Sequence, residues 1–376
     1  MSKDGQNIPF MNLSAQYETI KDDIKKAIDD VFAANAFIQG PFVAAFEKDF
    51  ARYCGSDHCV AVGNGTDSLF IALKALGIGP GDEVLVPAMT FVATSEAVTM
   101  TGATPIFVDI TPTTYTIAPH LIEEKITQRT RAIIPVHLYG HPADMKQIRI
   151  IADKYSLKIV QDMAQAHGAT IDETPLVEFG DCLSFSFYPG KNLGAYGDAG
   201  GLVTNNAQLA EQMRMLANHG RKHKYDHELE GVNSRMDGIQ GAVLSVKLKH
   251  LDSWTQRRRQ WAEVYDNALH GIEGITPPTS AKRCHHVYHL YVIRSDDREG
   301  LRRYLSENGV ATGVHYPIAP PFLGAYSQRK HTPEEFPNAF ALQNQALSLP
   351  FFPELGKKRA LFVAKIIKDY TEIKTQ

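Results

Sequence analysis

The chain has 376 residues, of which 44% are hydrophobic and 22% charged, a balance that excludes disordered and fibrous classes. The 39 basic residues against 42 acidic ones leave a net charge of −3, which rules out bulk attraction for nucleic acid or an anionic membrane. Cys54, Cys59, Cys182 and Cys284 are too few and too scattered for a disulfide framework and suit a reducing compartment. No apolar run reaches about 18 residues, and the opening MSKDGQNIPF carries no apolar signal region. The expectation is a cytoplasmic protein without membrane spans, of two to three domains at about 150 residues each.

Residues 15–35 and 42–53 read as amphipathic helices. From residue 58 short apolar runs alternate with longer amphipathic ones. Strands are predicted at 58–62, 83–87, 105–109, 132–137, 158–162, 182–187 and 201–204. Helices are predicted between the first five, at 67–76, 91–102, 119–126 and 144–155. Such alternation implies right-handed crossovers and a mainly parallel sheet covered on both faces. Further helices are expected at 206–217, 236–270, 298–308 and 357–371, with β-rich stretches at 285–294 and 311–317. The reading is an α/β chain with a large domain over 1–250 and a smaller C-terminal α+β domain over 251–376.

Ligands of open parallel sheets bind beyond the carboxyl ends of the strands, so the residues after each strand are the candidates. Gly63-Asn64-Gly65-Thr66-Asp67 comes after the first strand and opens a helix, a place where small residues, free N–H groups and the helix dipole suit a phosphate. An ordinary capped turn uses the same residues. Asp162 ends the 158–162 strand; a buried acid there needs a cationic or donor partner, although a helix cap would also place an Asp there. Lys191 lies in the loop after 182–187, where neighbouring charges can lower a lysine pKa and make it nucleophilic. Most lysines in such loops are simply solvated. Phe91 lies just past the second strand and can wall a flat pocket or merely pack. Together, a phosphate cradle, an acid, an aromatic wall and a lysine at one sheet edge match pyridoxal phosphate, whose Schiff base needs the lysine and whose pyridinium nitrogen needs the acid.

The segments Phe37-Ile38-Gln39-Gly40-Pro41, Gly79-Pro80-Gly81-Asp82-Glu83-Val84, Thr90-Phe91-Val92-Ala93-Thr94, Asp162-Met163-Ala164-Gln165-Ala166-His167-Gly168, Ser184-Phe185-Ser186-Phe187-Tyr188-Pro189-Gly190-Lys191 and Gly231-Val232-Asn233-Ser234-Arg235 carry a resemblance. In their order and spacing, from about Ile8 to Leu355, the chain resembles the DegT/StrS nucleotide-sugar aminotransferases, which have the fold type I architecture. The resemblance implies a pyridoxal 5'-phosphate enzyme with Lys191 and Asp162 as catalytic residues. Gly65, Thr66, Phe91, Asp162, Gln165, Ser186 and Lys191 would hold the cofactor, joined by Asn233 from the other subunit of a homodimer with shared sites. Tyr188, His167, Arg235, His315 and Tyr316 would touch substrate.

The implied reaction moves an amino group from L-glutamate to a nucleotide-linked keto-deoxysugar. The 188–198 segment resembles members acting on 3-keto hexoses carried on dTDP or UDP, as do residues 286–294 and 313–317. A 4-keto sugar aminotransferase is the alternative. So is a dehydratase on the same scaffold, but those relatives replace the lysine with His, whereas Lys191 is present here. Val232 stands where the family often has Tyr, and Gln161-Asp162-Met163 where it usually has Glu-Asp-Ala. No metal is expected, since no HExxH motif occurs. The basic loop His219-Gly220-Arg221-Lys222-His223-Lys224-Tyr225 and Arg235 are candidates for the sugar diphosphate. The run Arg257-Arg258-Arg259 is predicted to be an exposed helix face without a role.

Overall fold

The computed structural model describes residues 7–223 and 225–375. Its centre is a seven-stranded sheet. In chain order the strands are β1 (His58–Val62), β2 (Glu83–Pro87), β3 (Thr104–Val108), β4 (Thr130–Ile133), β5 (Lys158–Asp162), β6 (Cys182–Ser186) and β7 (Gly200–Thr204). Across the sheet they lie in the order β1-β7-β6-β5-β4-β2-β3. All neighbours are parallel except β7, which runs antiparallel to both β1 and β6. Helices α1 (Leu13–Ala34) and α2 (Pro41–Tyr53) lead in; α3 (Gly65–Ala75), α4 (Ala93–Met100) and α5 (Met145–Tyr155) are crossovers. Next come α6 (Ala207–Leu216), α7 (Gly238–Leu248) and α8 (Leu251–Leu269).

The strand sequences explain why both sheet faces are covered. Val60 and Val62 of β1 face a core shared with Leu69, Ile71 and Leu73 of α3. Cys59 and Ala61 face the opposite core, with Phe46 and Phe50 of α2 and Ile148 of α5. Apolar residues at both parities of a strand are what two buried faces require. A third core gathers Tyr265 of α8, Leu301 and Leu305 from α9 (Arg298–Glu307) and Val363 and Ile367 from α11 (Lys357–Thr375), with α10 (Pro337–Gln345) between those two helices in the chain. It packs on a small antiparallel sheet of β8 (Ile275–Thr276), β9 (Val292–Ser295) and β10 (Ala346–Ser348). Ile8 joins this core and bridges to Val310, so the chain start packs with the C-terminal part. The proposed division at residue 250 falls between α7 and α8.

Several sequence expectations need correction. Residues 119–126 form two short 3-10 turns, Pro119–Leu121 and Glu123–Lys125, since Ala118 N–H is tied back to the Asp109 carbonyl and Ile126 is already extended. The stretch 236–270 is two helices, broken at Lys249 and His250. Within 285–294 only the ends are strand, in Cys284–His285 and β9. Tyr288 takes φ +45° between them, and Arg258 draws the Tyr288 and His289 carbonyls to its own guanidinium at 3.3 and 3.2 Å. Arg258 is therefore a core residue, 5% exposed, and not part of a solvated face. Residues 311–317 contribute a single bridge, Gly313 to Ser348. No helix among the described residues is long and apolar enough to cross a membrane.

Because β7 runs backwards, its first residue lies beside the carboxyl ends of β1 and β6: Gly200 pairs with Val62 and with Ser186. The loop after β1 crosses over Gly200 to reach Ser186. A methyl group on residue 200 would lie 2.3 Å from the Asn64 carbonyl oxygen, closer than any real contact. We expect Gly200→Ala to cost about 2–3 kcal/mol through forced repacking, measured as a lowered thermal midpoint of the purified protein. An unchanged midpoint would contradict this placement.

Candidate active site

The carboxyl ends of β1, β5 and β6 open on one cavity of about 430 Å³. Gly65, Thr66, Phe91, Asp162, Gln165, Ser186, Tyr188, Lys191 and Tyr316 line it. Chain segments far apart in sequence thus meet beyond the carboxyl ends of the strands, the side expected for a ligand site in an open sheet.

The α3 end is built as an anion cradle. Asn64 caps the helix, its side chain accepting from Asp67 N–H at 2.8 Å. The N–H groups of Gly65 and Thr66, at the first two positions of the helix, have no intrahelical carbonyl to bond, and the helix dipole adds positive potential there. A Cβ on residue 65 would meet Ser186 Cβ at 2.6 Å, so only glycine lets α3 start against the Ser186 hydroxyl. Ser234 braces the turn, donating to Asp67 Oδ2 at 2.7 Å and accepting from Gly63 N–H at 3.0 Å.

Asp162 lies deeper, 6% exposed. Its backbone is fixed on both sides, N–H to the Pro135 carbonyl and carbonyl to His137 N–H. Its Oδ2 accepts from Thr94 Oγ1 at 2.9 Å and its Oδ1 from Ala164 N–H at 3.0 Å. Burial raises the Asp162 pKa, while the Ala164 N–H, the Thr94 hydroxyl and the Lys191 charge work against that rise. Lys191 keeps some accessible surface because it faces the cavity, yet protein encloses its amine. That desolvation lowers its pKa to about 8, against a smaller upward pull from Asp162. No ion pair closes between the two among the described residues, so each remains available to something placed in the cavity.

Gln165 is held rigidly: its Oε1 accepts from Tyr139 N–H at 2.6 Å and its Nε2 donates to Tyr316 Oη at 3.0 Å. The Phe91 and Tyr316 rings lie 5.5 Å apart, tilted by 42°. Phe91 and Tyr188 stand at the mouth, 53% and 59% exposed.

Four expected site residues do not line this cavity. His167 is fully buried against the Phe185 and Phe187 rings, so the expectation of substrate contact is corrected to a place beneath the site. Burial and then the Lys191 charge hold its pKa down to about 3, so it is neutral. His315 is turned to Ser348 Oγ at 2.8 Å and stacks on Phe10. Asn233 is exposed and Arg235 partly buried, on a segment clipped to the end of α6 through Ser234 N–H to the Ala217 carbonyl. In the basic loop, Lys222 pairs with Glu228 at 3.0 Å. Arg221 and His223 line a separate cleft with Gln39 and Arg214; Lys224 lies outside the described residues. Among the described residues no group of His, Cys, Asp or Glu is arranged to hold a metal ion.

Sequence reasoning missed Thr90, Thr94 and Asp198. Thr90 and Thr94 are hydrogen-bonded at 2.8 Å and pass that order on to Asp162. Two threonines four apart at a helix start were the available signal. Asp198, the last residue of the 188–198 segment, also lines the cavity. The residues present suit a flat, phosphorylated, cationic aromatic aldehyde. The cradle would suit its anion, Asp162 its positive nitrogen and Lys191 its carbonyl carbon.

The comparisons with known proteins agree with this chemistry. The model of the DegT/DnrJ/EryC1/StrS aminotransferase family matches residues 18–368. The dTDP-3-amino-3,4,6-trideoxy-alpha-D-glucose transaminase of Streptomyces venezuelae is 44% identical over 365 residues, 97% of this chain and 96% of that one. A crystal structure of S. venezuelae DesV in complex with a ketimine intermediate superposes with TM-score 0.96 at 44% identity, covering 97% of this chain and 99% of that one. The Bacillus subtilis NtdA structure with bound cofactor PMP superposes with TM-score 0.90 at 33% identity, covering 98% and 87%. With the family matched over nearly the whole chain and the site built for its chemistry, the chain belongs to the DegT/DnrJ/EryC1/StrS aminotransferases.

Proposed function

We propose that the chain is a pyridoxal phosphate-dependent aminotransferase that moves an amino group from L-glutamate to the 3-keto group of a dTDP-linked deoxyhexose. The observation that carries it is the sharing of one cavity by the Lys191 amine and the Asp162 carboxylate beside the α3 cradle. The dTDP-sugar relative of S. venezuelae supports the substrate class, and the PMP-bound neighbour supports the cofactor. Pyridoxal phosphate, when bound, supplies the carbonyl that takes up the amine and the ring that accepts the electron pair left on the donor carbon. The N–H groups of Gly65 and Thr66, with the Thr66 and Ser186 hydroxyls, would hold its phosphate. The Asp162 carboxylate would favour a protonated ring nitrogen, and Phe91 would wall the ring. Gln165, held by Tyr316 at 3.0 Å, would help to orient the ring. Lys191 Nζ, as a free amine, would remove the donor's α-proton and hold it for return.

Tyr188 and Tyr316 contact the sugar in this reading. The enzyme acts as a cytoplasmic homodimer, in which Asn233 and Arg235 serve the partner subunit's cavity. The product is an amino sugar for polysaccharide or glycoconjugate synthesis.

The visible spectrum of purified protein with added pyridoxal phosphate tests cofactor and donor together. A yellow band that L-glutamate bleaches is expected. Lys191→Ala should lose both the band and turnover, and Asp162→Asn should lower kcat by about 100-fold or more. Near-normal kcat in either variant defeats the assignment.

Burial favours the neutral amine, so Lys191 loses its proton near pH 8 rather than at 10.5. Borohydride trapping of pyridoxal phosphate on the apoprotein should therefore rise with pH with a midpoint near 8. A midpoint near the ordinary lysine value would contradict the enclosed amine.

A further inference from the structure

The loop that carries Lys191 leaves β6 at Phe187 and closes on itself, Ala195 N–H donating to the Phe187 carbonyl at 2.7 Å. Gly194 forms its neck: a Cβ there would stand 2.3 Å from the Pro189 carbonyl oxygen. One side of this loop borders the cavity, and another rests on α7. Lys247 of α7 is 1% exposed, and its Nζ donates to the Gly194 carbonyl at 2.6 Å. The same Nζ lies 4.4 Å from the centroid of the Tyr196 ring. Two turns earlier, Gln240 accepts from Tyr196 N–H at 2.9 Å and donates to its carbonyl at 3.4 Å.

Among the described residues no carboxylate pairs with Lys247. A buried ammonium without a counterion costs free energy, offset in part by the carbonyl and by the cation–π contact. A methionine would fill similar space without that cost. What methionine lacks is a donor for Gly194 and a charge for Tyr196, and both of those contacts belong to the lysine loop.

We propose that Lys247 is a positioning residue for transamination, anchoring the neck of the Lys191 loop through the Gly194 carbonyl so that Lys191 Nζ meets the cavity at a fixed place. The inference rests on the proposed role of Lys191 as the amine that takes up the cofactor. Displacing a reacting group by about 1 Å can cost two orders of magnitude in rate, so a loosened neck should be felt in kcat. The groups that face Lys191 are Asp162, His167, His289, His315 and Tyr316. Burial keeps the three imidazoles neutral, with values of about 3 for His167 and about 4 for His315 and a strong downward shift for His289. Burial moves Tyr316 well above its ordinary range. Lys247 itself titrates near 8, and substitution by Met or Gln removes that titration.

The test compares full-length wild type, K247M and K247Q. It reads the thermal midpoint of the apoprotein, the pH midpoint for borohydride trapping of pyridoxal phosphate on Lys191 by mass spectrometry, and kcat and KM for L-glutamate. K247M should keep the thermal midpoint to within about 3 °C or raise it. It should move the trapping midpoint up by about half a pH unit or more as the amine becomes better solvated. It should also lower kcat about 10-fold or more with KM changed less than about threefold. K247Q retains a donor for Gly194 and should recover most of the lost kcat. The inference is overturned by an unchanged kcat and trapping midpoint in K247M, by K247Q behaving no better than K247M, or by a failure of both variants to fold. Absence of trapping in the wild type would instead overturn the role of Lys191.

Discussion

Asp162 sets the terms for everything around it. A carboxylate that is 6% exposed has lost most of its hydration, and one hydroxyl and one N–H replace only part of it. Its backbone is locked between β4 and β6, so the group cannot swing out to find water. The remaining compensation has to come from a cation brought into the cavity. Lys191 is the nearest source, yet no ion pair forms. The cavity therefore keeps an unmet demand for positive charge at one end, while the α3 N-terminus keeps an unmet demand for negative charge at the other. A ligand that is anionic at one end and cationic at the other has only one orientation that satisfies both. That polarity carries the specificity for the cofactor before any contact with the sugar is considered.

The reversed strand β7 makes this arrangement possible. In a wholly parallel sheet the start of the strand between β1 and β6 would lie at the far edge. Running backwards, β7 begins beside the carboxyl ends of its neighbours. Glycine at 200 and glycine at 65 then let the turn after β1 close down on Ser186. The cradle thus depends on strand direction as much as on the N–H groups of α3.

Much of this was legible in the sequence. The seven strand cores fell where β-branched and apolar runs were uninterrupted, because strands covered on both faces need apolar residues at every position. Lys191, Asp162, Gly65, Thr66 and Ser186 stand at or just past the carboxyl ends of strands, a position that depends only on local order. The errors arise where tertiary contacts override local pattern. Residues 285–294 have a strand-like composition, but Arg258 claims two of their carbonyls and Tyr288 turns left-handed. Arg258 itself looked like one of three solvated arginines, since nothing in the sequence shows that only one of them meets a core. His167 comes two residues after Gln165 in the same motif and points elsewhere, because after the strand ends successive side chains have no fixed parity. Lys247 reads as an ordinary helix lysine, and only the packing of α7 on the lysine loop gives it partners.

The cavity mouth carries the last step. Phe91 and Tyr188 are large aromatic residues left more than half exposed, and such rings gain most of their stabilising free energy only when covered. A cofactor would cover the inner part of each ring and leave the outer part wet. Asn233 belongs to a segment that is firmly hydrogen-bonded in its own subunit, yet its side chain is exposed and outside its own cavity. Pairing two chains so that each Asn233 segment closes the other's mouth would cover the rings and use the side chain in one contact. In the proposed dimer each cavity mouth would be covered by the other chain, and each site would be complete only in company with the other.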